Sequence, residues 1–240
     1  MSKAEPTKSD AADWLIHQWV VAGVIASAAR FVPIPFADDL IRSQCRRFIV
    51  SRTLAASGAT LSTNELKPLY GGSGGCVAGC LGVMAKAPLK LLMFPIRKFV
   101  AIITSVRGVP LEITQSVLLG RTLHRLLARG DVRASEAETI RVAFEESFAR
   151  MDFHAVDAAI ADALHSIRHW KSSAIKSARL LSVAKSEVDE ELPADEQVES
   201  AAATVQEALD RPKTLQLFEQ FDSRFDAAFE RLRTAAKPAY

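Results

Sequence analysis

Cysteine is scarce. Three thiols, an odd number, give no disulfide framework, and the chain reads as one for a reducing, cytoplasmic compartment. Aromatic residues make up only 7% of the sequence, too few to build stacking platforms, and no nucleic-acid motif is visible, so no nucleic-acid partner is expected. Long apolar runs are also missing. The longest are about 15 residues, short of the ~20 needed to span a bilayer and suited to a buried, re-entrant or interfacial helix. Strict polar–apolar alternation is rare and no internal repeat is found, which argues against strands, propellers and solenoids. What is abundant is Ala, Val, Leu and Ile, within an apolar content of 49%. Together these predict an all-α multi-helix bundle.

The first apolar run, WLIHQWVVAGVIASA at 14–28, has the length of a signal-peptide core and ends in A-x-A. Glu5, Asp10 and Asp13 precede it beside Lys3 and Lys8, and His17 and Gln18 interrupt it, so it reads as a retained helix. Residues 14–31 are apolar on all faces, which predicts either deep burial or lipid contact.

Charge is divided along the chain. Residues 1–130 hold 16 Lys/Arg against 7 Asp/Glu, and residues 131–240 hold 14 against 21. The basic half is also the apolar half, a combination that favours an anionic membrane surface. The alternative is that the two oppositely charged halves pack on each other.

Helix signals follow one another from Asp13. After Pro33 and Pro35, Asp38 and Asp39 open a helix to about Ala56, with Leu40, Ile41, Cys45, Phe48 and Ile49 toward one side and Arg42, Arg46 and Arg47 toward the other. Ser62 with Glu65 is a capping-box spacing for a short helix ending at the glycines. An apolar stretch at 76–94 is broken by Lys86, Pro88 and Lys90. A helix at 96–106 sets Arg97 and Lys98 opposite its apolar face, and another begins after Pro110 and stops at Gly130. Ser135 with Glu138 is a second capping-box spacing, and a longer helix is predicted from Ala155 to about Leu181. SEVDEELPADEQVES, 186–200, reads as a solvated acidic linker. In the last helix Phe218, Phe221, Phe225 and Leu232 form an apolar face that needs a partner surface, in this chain or in another protein. The expected division is a tail at 1–10, a helical bundle domain at 11–181, an acidic linker at 182–200 and C-terminal amphipathic helices at 201–240.

Candidate chemistry centres on GGSGG, 71–75. A hydrolase elbow would need a strand before Ser73, and LKPLY is short and contains Pro68. A phosphate loop would need a lysine directly after the glycines, and none follows until Lys86. Gly71, Gly75 and Gly79 instead stand four residues apart, a spacing that suits close helix approach. Asp162, His165 and His169 fall on one predicted helical face but lack the Glu of H-E-x-x-H, so a solvated polar face is favoured over a metal site. Cys76 and Cys80 read as small apolar packing residues. No cofactor, metal or catalytic residue is expected.

FVPIPFADDLIRSQCRRFIVSRTLAASG, with its proline pair, acidic pair and following helix, resembles a segment of the helical YcjF-type and EcsC-type proteins of bacteria, and VRGVPLEITQSVLLGRTLHRLLARG is similar to helix pairs that follow in them. The resemblance covers about residues 14–130. It implies a membrane-associated helical protein of poorly defined function, and because the GTPase domain of some relatives is missing here it carries over no nucleotide activity. The expected function is a non-catalytic membrane-associated scaffold or accessory protein, with Arg42, Arg46, Arg47, Lys86, Lys90, Arg97 and Lys98 meeting anionic lipid. The alternatives are a soluble regulator binding a protein partner, or itself, through the Phe218–Leu232 face, and a serine hydrolase using Ser73.

Overall fold

A helix that is apolar on every side has to be surrounded, and the first helix of this protein is. The computed structural model describes residues 8–34, 37–71, 94–184 and 188–235, with the side chains of 8–11 and 94–107 outside that description. Helix α1 (Lys8–Ala28) continues into a 3-10 turn (Ala29–Phe31), and Val20, Ala22, Val24, Ile25 and Ala26 within it have no exposed surface at all. Around it stand α2 (Ala37–Ala56), α3 (Phe94–Arg129), α6 (Trp170–Val183) and α7 (Glu196–Leu209). An outer set comprises α4 (Ala137–Ala149), α5 (His154–His165) and α8 (Pro212–Ala235). Helix α5 lies on α7 and α3, and α8 lies on α4. Two further 3-10 turns fall at Thr63–Leu69 and Ala134–Glu136, and no strand occurs among the described residues. The chain is all α, as the composition predicts.

Antiparallel packing of α1 on α3 sets the spacing at the centre. A Cβ on Gly23 would come within 2.9 Å of the Ile113 Cα, and the Trp19 indole fills the space beside Gly120. At the far end of the pair, Arg30 donates to the Gly108 carbonyl at 3.0 Å, its guanidinium lying where a Gly108 side chain would be. Trp19 also donates to Thr53 Oγ1 at 3.0 Å, tying α1 to α2.

Several boundaries differ from the sequence expectation. Helix α3 does not restart after Pro110 but runs through it. The lost N–H costs one backbone bond, and burial of Pro110, with Ile113 packed against Gly23 of α1, keeps the segment in place. Its C-terminus is where expected: Gly130 takes φ +70°, and Asp131 N–H reaches back to the Leu126 carbonyl. The long helix expected from Ala155 is two, because His169 adopts φ 64° between α5 and α6. The Ser135–Glu138 capping box is not formed, since Glu138 bonds Arg141 instead. The Ser62–Glu65 box is formed.

The acidic 182–200 segment is no solvated linker. Leu192 is buried, Val188 N–H donates to Gln44, Asp189 pairs with Arg47, and Asp195 caps α7, which already begins at Glu196. The C-terminal helices therefore share the core of the bundle. Phe218, Phe221 and Phe225 are buried and Leu232 is partly buried, with Phe144 of α4 set edge-on to Phe221 at 5.4 Å. The partner surface for this face is the chain itself.

His17 interrupts the apolar surface of α1 and lies 2.6 Å from the Glu199 carboxylate of α7. That hydrogen bond, outweighing burial and aided by Gln206, raises its pKa above the ordinary value. A histidine so raised contributes stability that is complete below the unfolded pKa of about 6.5 and is lost as pH climbs through the folded value. Relative to His17→Gln, the wild type should hold a melting-temperature advantage at about pH 6 that shrinks by about pH 9. An advantage that ignores pH would show that His17 does not titrate against Glu199. Separately, Gly23→Ala should destabilise the protein by about 1–3 kcal/mol, because the added methyl meets backbone. Thermal unfolding measures this, and an unchanged midpoint would show that α1 and α3 are free to separate.

Candidate functional site

The site expected to meet anionic lipid begins on α2, and its arginines have partners inside the protein. Arg42 Nε lies 3.2 Å from Asp38 and 3.3 Å from Glu112. Arg46 Nη2 donates to Gln115 at 3.2 Å and, at 3.5 Å, faces the other oxygen of Glu112. Glu112 is only 8% exposed and stands between the two guanidiniums. Arg30 lies in the same cluster. Its pKa is lowered by burial first and by the nearby Arg42 second, with Glu112 and Asp38 opposing. Cys45 lies under this face, fully buried, and burial pushes its thiol pKa up, so it is not poised as a nucleophile.

Arg47 departs from its expected outward position. It is 6% exposed, donates to both oxygens of Asp189 at 2.8 and 3.0 Å, and bonds Asn64 and the Tyr70 hydroxyl. The reason is geometric. Arg47, Val50 and Leu54 form a second inward row on α2, because this helix is enclosed by α1, α3, α6 and the 63–69 turn. Leu40, expected inward, is 42% exposed.

Beside the basic face a cleft opens. The 63–69 turn, anchored by buried Leu66 and Leu69, bridges α2 and α4 and ends at Gly71. Between it, α2, α3 and α4 lies a cavity of about 330 Å³. Arg46 and Gln115 form part of one wall, Arg141 and Glu145 part of another, and Leu69, Leu119 and Phe144 supply apolar surface. Gly71, a bend residue just past the turn, is part of the lining. Gly75, Gly79, Ser73, Cys76, Cys80, Lys86 and Lys90 lie outside the described residues, as do the side chains of Arg97 and Lys98.

Asp162, His165 and His169 do not share a helical face, since α5 ends at His165, and all three are exposed. Among the described residues no group of three or more His, Cys, Asp or Glu is placed to hold a metal.

The sequence reading missed Glu112, Gln115 and Asp189. Glu112 carries a usable signal, being the sole acidic residue between Glu65 and Asp131. A lone acid in a basic stretch is a natural centre for several cations. Glycines that set helix spacing were missed too, at Gly23 and Gly120. The small-residue pairs Gly23/Ser27 and Ser116/Gly120, each four apart, mark them.

Searches against known protein families, characterised proteins and solved structures find no match to this chain.

Arg47 yields a test of its inward role. Asp189→Ala removes a carboxylate that meets the buried Arg47 guanidinium through two hydrogen bonds and should cost about 1–3 kcal/mol. The neighbouring exposed Glu190→Ala should stay within about 0.5 kcal/mol of wild type. Chemical denaturation compares them, and equal stabilities would mean that the Arg47–Asp189 bridge contributes nothing to the fold.

Proposed function

We propose that the protein is a non-catalytic helical scaffold or accessory factor that associates peripherally with an anionic membrane surface, at the cytoplasmic side. The observation that carries this reading is the composition of residues 66–111. They are strongly apolar and contain Lys67, Lys86, Lys90, Arg97, Lys98 and Arg107 with no acidic residue at all. Cations without acids beside apolar side chains are what an anionic leaflet attracts, at about 1 kcal/mol per charge near the surface.

Part of the segment is helical: the first 14 residues of α3, Phe94–Arg107, belong to it. At 1.5 Å per residue that is about 20 Å of helix. No helix among the described residues is long and apolar enough to cross a membrane, so the association proposed is interfacial. The α2 arginines take a smaller part in this reading than the sequence alone assigns them, because Arg42 and Arg46 share Glu112 and Arg47 is buried.

Co-sedimentation with vesicles tests the proposal. Wild-type protein should pellet with anionic and not with neutral vesicles, and salt should weaken the binding as the Debye length shortens. Replacing Lys86, Lys90, Arg97 and Lys98 by Gln should remove about 4 kcal/mol, roughly a thousandfold in partitioning. The pair Arg42→Gln and Arg46→Gln should chiefly lower the melting temperature. Protein that stays in the supernatant with every lipid would sink the reading.

A further inference from the structure

The cleft at the end of the 63–71 turn has the volume of a small-ligand site, about 330 Å³. Its two guanidiniums differ in what they can do. Arg141 is gripped by Glu138 through two bonds of 2.6 and 3.1 Å and by Glu145 at 2.6 Å. Two carboxylates hold this one guanidinium and fix its position, so it serves as wall. Arg46 makes only the longer contacts to Gln115 and Glu112, both through Nη2, and its side chain is 28% exposed. Glu112 is shared with Arg42, so one carboxylate faces two guanidiniums. Arg30 and Asp38 belong to the same cluster.

An arginine fork with a neighbouring amide is suited to an oxyanion, which it meets through paired N–H donors. The remaining lining, Leu69, Leu119 and Phe144, suits an apolar body. We infer that this cleft binds a small anionic amphiphile, its carboxylate or phosphate head on Arg46 and Gln115 and its apolar part against Leu69, Leu119 and Phe144. The inference rests on the cleft alone and is independent of the membrane reading above.

Octanoate, which stays monomeric at millimolar concentration, is a suitable probe, followed by titration calorimetry on the full chain with a melting curve for each variant. Octanoate should saturate a single site and raise the melting temperature, and uncharged octanol should bind at least about tenfold more weakly. Arg46→Gln should weaken octanoate by about tenfold and leave octanol unchanged. Leu119→Trp, which fills the cavity, should abolish binding of both. Should Arg46→Gln fail to fold with Glu112 less well paired, Arg46→Lys keeps the charge without the fork and should bind octanoate several-fold more weakly. Displacement of octanoate by phosphatidate vesicles, and not by phosphatidylcholine vesicles, assigns the head group to a lipid. Retention of octanoate in both assigns it to a free acid. Absence of saturable octanoate binding, or affinities unchanged in Arg46→Gln and Leu119→Trp, would overturn the inference.

Discussion

Burial of α1 is the constraint on which the rest of the architecture depends. From Val20 to Ala29 this helix exposes almost nothing, so neighbours must cover it on every side, and four helices drawn from both halves of the chain do so. Two of those four, α3 and α7, carry a second layer in α5, and α4 and α8 pack on each other beside them. The close approach of α1 to α3 follows from the same demand. Side chains larger than glycine at 23 and 120 would hold the two helices apart and open voids along the central axis, where packing is densest.

Charge then decides how the halves are oriented. The basic and acidic halves meet at specific pairs: Arg47 with Asp189, His17 with Glu199, and Arg121, Arg125 and Arg129 of α3 with Asp222 and Asp226 of α8. Most of these are partly exposed, and each exposed pair contributes at most about 1 kcal/mol. Arg47 and Asp222 differ, since both are buried and each would be costly to leave unpaired. Their larger effect is on register. Sliding α8 by one turn along α3, or lifting the 188–195 segment from α2, would strand a charge in the interior. The charge asymmetry of the sequence thus has an internal use, and it accounts for Arg47 without reference to a membrane, whereas Arg42 and Arg46 pair with Asp38 and Glu112 of their own half.

Fold class was legible because helical periodicity is a local property, and so were the Asp38–Asp39 start, the Ser62–Glu65 box and the Gly130 stop. The continuation through Pro110 was not, because it depends on what packs against the helix rather than on the proline. The break at His169 was hidden for a related reason: no Gly or Pro marks it, and histidine, although enriched among non-glycine residues at positive φ, is a weak mark by itself. The 186–200 segment looked solvated since its single-residue composition is acidic. Only the position of Arg47 on an enclosed face of α2 explains why Asp189 and Leu192 dock. Of the cleft, Arg46 was visible as a cation, but Gln115, Arg141 and Phe144 come from helices far apart in sequence, and no local pattern announces that they meet.

Two stretches of this chain are apolar enough to be drawn either to lipid or to a core, and their flanking charges set them apart. Residues 14–29 contain no lysine or arginine, and acids stand just before them at Asp10 and Asp13. Such a helix gains nothing from an anionic surface, and its one ionisable group, His17, finds a carboxylate within the protein. Residues 66–111 carry cations at intervals and no acid, so burying them in the bundle would require counter-charges from elsewhere in the chain. An anionic leaflet supplies counter-charge and apolar medium together, which is why the second stretch, and not the first, carries the proposed membrane contact.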